Sequence, residues 1–306
     1  MKRAAAALAV LPLLAVPALA AETSKALPGT GCGAFPANNY WHADVSKLPV
    51  SGRSAQWLSH MSPTRRLHPD FGGTYGLPVT YVSGSHAKVG VTFDDASESD
   101  RVGYPLGSDT RIEGGSDQHA VVVDRSTCTL YETWDTRKSG TRWYAGSGAY
   151  WNLKSNALRP DGWTSADAAG LAILPGLLRY DEVAAGHVDH AIRFTTSITD
   201  RHHLWPARHD AGSVSDLTYP RMGARFRLKA SFAISSYRPD TRAVLQAMKT
   251  YGLVLADNGS PWYFQGEQSS RWANGMLDQL KTIPASAFEA VDTSSLRISA
   301  NSAQAR

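Results

Sequence analysis

Two runs decide the fold: His119-Ala-Val-Val-Val-Asp124 and, after a short turn, Thr129-Leu-Tyr-Glu-Thr-Trp134. The first is a continuous apolar run, the pattern of a strand covered on both faces. The second carries β-branched and aromatic residues, and Ser126-Thr127 supplies the turn between them. Together they predict a β-hairpin.

Working outward, further strands are predicted at Pro78–Val82, Ala87–Phe93, Val188–Thr195, Ala224–Phe232 and Leu253–Ala256. Trp143-Tyr144 returns the chain after the turn at Arg137–Thr141. Asp240–Tyr251 is the one convincing helix, with Val244, Leu245, Met248 and Tyr251 as its apolar stripe and Gly252 as C-cap. Trp272–Leu280 is a second, weaker helix, and Ser165–Gly170 reads as one helical turn capped by Ser165. Many short strands between Gly/Pro turns, with one or two peripheral helices, predict a mostly-β sandwich of jelly-roll or concanavalin-like type. No fixed-period repeat argues for a propeller.

The ends frame this body. Lys2 and Arg3, the apolar stretch Ala4–Leu14 and the small-residue site Ala18-Leu19-Ala20 predict a signal peptide over 1–20. The reading is then a secreted protein, extracellular or periplasmic. Residues 21–75, rich in Gly, Pro, Ser and Asn, predict a loop-rich N-terminal wrap. The sandwich domain is expected over 76–295 and a disordered tail over 296–306. No later segment approaches the roughly 20 apolar residues of a membrane span. Cys32 and Cys128 are the only cysteines and are expected to pair in an oxidising compartment, with two buried thiols as the rival reading.

Composition narrows the partners. The chain has 31 Lys and Arg against 27 Asp and Glu. Without Lys2 and Arg3 the balance is 29 to 27, which gives no case for nucleic acid. Nine Trp and 12 Tyr suit sugar rings, although most must serve the core. The expected partner is a polysaccharide, bound by a monomer without nucleic acid, membrane or cofactor.

Titratable groups gather between Ser116 and Phe194. On its strand Glu132 shares a face with Leu130 and Trp134, so desolvation would raise its pKa and suit a general acid. The competing reading is an exposed or salt-bridged strand glutamate. Asp181-Glu182 follows the apolar stretch Leu171–Leu178 at a loop or strand end, and Glu182 is the second carboxylate expected of a glycosidase. Its competing reading is an ion pair with Arg179 or Arg193. His119 and His190 are taken as orienting or proton-relay groups. Trp134, Tyr180, His209, Arg225 and Arg227 are taken as substrate-binding. Arg225, Arg227 and Lys229 alternate onto one face, where they could fork onto a uronate or simply be solvated. The histidines show no metal-binding spacing, and no metal is expected.

The motifs Ile112-Glu-Gly-Gly, Thr164-Ser-Ala-Asp-Ala-Ala-Gly-Leu, Pro175-Gly-Leu-Leu-Arg-Tyr-Asp-Glu-Val and Ala256-Asp-Asn-Gly-Ser resemble a widespread domain of secreted bacterial proteins, over about residues 75–295. The resemblance implies secretion and a single module. It carries no reaction and no catalytic residue. The function expected from the residues themselves is a carbohydrate-active enzyme, with a glycoside hydrolase first. The alternatives are a polysaccharide lyase, with His190 or Tyr180 as base and Arg225 or Arg227 as neutraliser, and a non-catalytic carbohydrate-binding module.

Overall fold

The computed structural model describes residues 24–306, so the expected signal peptide lies outside the described residues. In chain order the strands are β1 (His68–Asp70), β2 (Val79–Val82), β3 (Val91–Phe93), β4 (Ala120–Asp124), β5 (Thr129–Trp134), β6 (Arg137–Ser139), β7 (Arg142–Ala145) and β8 (Ser147–Asn152). They continue with β9 (Ile192–Thr196), β10 (Asp200–His203), β11 (Arg221–Met222), β12 (Arg225–Leu228), β13 (Leu253–Asn258), β14 (Tyr263–Gln265) and β15 (Phe288–Val291). The helices are α1 (Ser54–His60), α2 (Tyr180–Ala184), α3 (Pro239–Thr250) and α4 (Asn274–Leu280).

The chain is a mostly-β sandwich, 29% strand against 15% helix. One sheet has six strands in the order β1-β14-β9-β13-β12-β15, and a second has four in the order β2-β4-β5-β8. A three-stranded sheet, β3-β7-β6, and the pair β10-β11 complete it. The expected hairpin is β4–β5, antiparallel with Val121 opposite Glu132 and Val123 opposite Leu130. Several pairs are parallel, among them β9 with β13 and β2 with β4. The β9-to-β13 connection carries α3, as parallel neighbours require a crossover.

The Val121-Val122-Val123 run has a direct cause. Val121, Val123 and Leu130 face the large core shared with Phe194, Phe226 and Phe264 of the six-stranded sheet. Val122 and Tyr131 face a smaller core with Phe93, Tyr104 and Trp143 over the three-stranded sheet. The four-stranded sheet is thus an inner layer, and burying each of these side chains contributes about 1.5–3 kcal/mol.

Helix α3 forms where its stripe predicts, with Val244, Leu245 and Met248 buried. It stops at Gly252, whose φ of +75° a side chain would strain and whose added Cβ would meet Phe226 O at 2.2 Å. The disulfide Cys32–Cys128 joins the N-terminal wrap to the β4–β5 turn.

Three expectations are corrected. Ser165–Gly170 is a turn rather than a helical turn: the Asp167 N–H donates to Ser165 Oγ at 2.9 Å, a local bond that competes with helix. Asp181 and Glu182 lie in the short helix α2 instead of a loop or strand end. The 296–306 tail is ordered. Ala303 and Ala305 are buried, Gln304 bridges to Asn39, and Arg208 Nη1 donates to Ala300 O at 2.9 Å. Small side chains let this segment pack closely onto the wrap, which a composition-based reading takes for disorder.

Candidate functional site: an acidic pocket under Trp134

The expected carboxylates are not in a groove. Glu132 is fully buried, and its oxygens accept from Ile173 N–H at 3.0 Å, Leu174 N–H at 2.9 Å and Trp151 Nε1–H at 3.3 Å. It anchors the start of the 3-10 turn Leu174–Gly176. Burial raises its pKa, as the sequence suggests, and these donors offset only part of that rise. A proton sealed in the core, however, has no substrate to go to.

Glu182 is also buried. It accepts from Arg179 N–H at 2.8 Å, Arg179 Nη2 at 2.5 Å and faces His190 Nε2 at 2.9 Å. Burial opposes its charge, but Arg179 and then His190 outweigh that and hold its pKa down to about 2. The competing reading of an ion pair with Arg179 is therefore the one that the geometry realises. His190 is enclosed between Glu182 and Ala191 O. Arg225 and Arg227, on β12 of the six-stranded sheet, are buried beneath the N-terminal wrap, Arg227 held by Glu289 and by Val45 O and Leu48 O. Tyr180 packs on Trp272 and beneath Arg271.

His119, Trp134 and His209 do come together. They line a cavity of about 280 Å³ with Asp95, Asp117, Asp167 and Asp257. Trp134 ends β5 with 40% of its surface exposed, and its ring lies over Gly146, where a Cβ would fall 2.2 Å from it. Asp257 is delivered by β13, where the register with β9 shifts between Leu255 and Asp257. Such a bulge re-aims a side chain. Asp167 comes from the turn after Ser165.

Arg193 of β9 ties the two aspartates, with Nε 3.2 Å from Asp167 Oδ2 and Nη2 3.5 Å from Asp257 Oδ2. One guanidinium does not neutralise two carboxylates removed from water. Burial, against the pull of Arg193, pushes Asp167 up to about 7, and Asp257 adds to the push. Burial likewise raises Asp257. The pair thus titrates together and can retain a proton near neutral pH. Asp257 keeps 25% of its side chain open, whereas Asp167 is closed.

His119 is second to the pair. Its Nε2 donates to Ala166 O at 3.0 Å, and its Nδ1 lies 2.5 Å from Glu113 Oε2. With a carbonyl on one side and a carboxylate on the other, the ring fits best as imidazolium. Burial would lower its pKa, but the Glu113 hydrogen bond and charge outweigh it. It positions the 166–167 turn and leaves no free nitrogen for a base. His209 Nδ1 faces Ala168 O at 2.9 Å from the same turn.

The residues that alternation missed are Glu113, Asp117, Asp167, Arg193 and Asp257. The signal was in the motifs: Ile112-Glu-Gly-Gly, Thr164-Ser-Ala-Asp and Ala256-Asp-Asn each supply one carboxylate to this cluster. Among the described residues no three His, Cys, Asp or Glu side chains form a group that could hold a metal. Protein-family models, curated proteins and solved structures give no match to this chain.

Proposed function

We propose that the chain is a secreted hydrolase of glycosidic bonds, working in the acidic pocket. One observation carries the reading: an aspartate pair bridged by Arg193, partly open at Asp257, stands beside the exposed Asp117 and Trp134. Asp257 is close enough to Asp117 to be raised by its charge. In this reading Asp257 protonates the leaving oxygen, and Asp117 supplies the second carboxylate that such cleavage needs. Arg193 and Asp167 hold Asp257 in place, and Trp134 stacks on the sugar ring.

The pocket lining favours hydrolysis over uronate elimination. The exposed Asp95 and Asp117 would repel a uronate, and Arg225 and Arg227 are elsewhere. Neutral or amino-sugar glycans fit the charge. The disulfide supports secretion, because such bonds persist in oxidising compartments, and no helix among the described residues is long and apolar enough to cross a membrane.

The test is incubation of the purified protein with xylan, β-glucan, chitosan and pectate, reading reducing ends and the absorbance of unsaturated uronate. The expected result is new reducing ends from a neutral or amino-sugar polymer with no absorbance change. Absorbance rising on pectate would assign a lyase, and binding without product a carbohydrate-binding module. Either would overturn the proposal.

A further inference from the structure

Arg225 is fully buried, yet only part of its guanidinium is engaged. Its Nη2 donates to Tyr40 O at 2.8 Å and Ala43 O at 3.4 Å, and its Cζ lies over the Tyr40 ring, 4.2 Å from the centroid. Its Nε and Nη1 have no hydrogen-bond partner. No carboxylate among the described residues pairs with it, unlike Arg227, which holds Glu289. A buried cation with idle donors is costly unless something anionic completes it.

Arg225 forms part of the lining of a cavity of about 570 Å³. Arg53, Arg221 and Arg297 also line it, and Trp57 and Trp205 supply aromatic walls. Arg221 is paired with Asp200 at 3.0 Å. Arg53 and Arg297 are exposed, and neither makes an ion pair among the described residues. The one acid on the lining, Asp292, accepts from Ser294 N–H at 2.9 Å. The cavity is therefore cationic, in contrast to the acidic pocket under Trp134.

We propose that this cavity is a second binding site, for a carboxylate or sulfate carried on a ring-bearing molecule such as a sugar acid. The idle Arg225 Nε–H and Nη1–H donors can each give a charge-assisted hydrogen bond to an oxyanion. The volume far exceeds that of a bare inorganic ion, and the Trp57 and Trp205 faces suit a ring. The site is independent of the glycosidase reading and would stand if that reading failed.

The experiment is calorimetric titration of the intact protein with glucuronate, inorganic sulfate and glucose at constant ionic strength. Glucuronate is expected to bind saturably at one site, sulfate at least tenfold more weakly, and glucose not at all. Arg225→Met, which keeps length and removes the unpaired charge, is expected to abolish glucuronate binding. If that variant does not fold, the rim double variant Arg53→Ala/Arg297→Ala carries the test, with an expected loss of at least tenfold. Asp257→Asn is expected to leave glucuronate binding unchanged. Absence of saturable glucuronate binding, equal affinity for sulfate, or an unaffected rim variant would overturn the proposal.

Discussion

Replacing Glu182 by Gln separates a structural role from a catalytic one. The native carboxylate is held at about 2 against an ordinary 4.5. A carboxylate held that far below its ordinary value contributes on the order of 3 kcal/mol of stability near neutral pH. The sign follows from the direction. The folded state binds its proton less readily than the unfolded chain, so this stability is present above about pH 4.5 and is lost as pH falls toward about 2. Glu182→Gln removes the partner of a buried Arg179, and breaking a buried pair costs about 3–5 kcal/mol. With an unfolding entropy of about 2.1 cal/mol/K per residue, Tm is expected to fall by about 5–8 °C. Calorimetric melts of both proteins from pH 2 to 7 are the assay. The wild type is expected to lose stability through the 4.5-to-2 window more steeply than the variant. A variant with wild-type Tm and an unchanged acid slope would refute the reasoning, as would one that melts normally but has lost all activity.

Three further outcomes are expected. Removing the disulfide with Cys32→Ala/Cys128→Ala opens a separation of 96 residues, for which chain entropy gives about 4.7 kcal/mol, read as a lower urea midpoint. Trp134→Ala is expected to raise KM about tenfold on a cleaved glycan with Tm within about 2 °C, since the indole is exposed and loses little packing. Glu132→Gln keeps a carbonyl for Ile173 N–H and Leu174 N–H but sets its amide N–H against the Trp151 indole N–H, which is left unpaired. It is expected to cost about 1–3 kcal/mol, seen in thermal melts, without altering activity per folded molecule.

The β4–β5 hairpin and α3 were legible because their patterns are local: an apolar run, a turn, a stripe at helical spacing. Alternation also placed Glu132 and Trp134 on one strand face, but it could not say what covers that face. Ile173 and Leu174 close over Glu132, whereas Trp134 at the strand end keeps 40% of its surface exposed. Asp167 sits in a turn with no period, and Asp257 owes its direction to a bulge that strand alternation does not reveal. Arg225 and Arg227 look like a solvated strip because alternate cations usually are. Here the N-terminal wrap buries them with its own carbonyls, those of Tyr40, Ala43, Val45 and Leu48. What strand periodicity conveys is which side chains travel together, not which surface they meet.

The measurement that bears most directly on the acidic pocket is product release by Asp257→Asn beside Glu132→Gln, each first shown to be folded by circular dichroism and assayed on the same cleaved glycan. The account expects Asp257→Asn to lose about 10²- to 10⁴-fold in kcat, the range for a missing general acid, while Glu132→Gln stays within about twofold of wild type. The reverse pattern, with Asp257→Asn fully active and Glu132→Gln inactive, would contradict it.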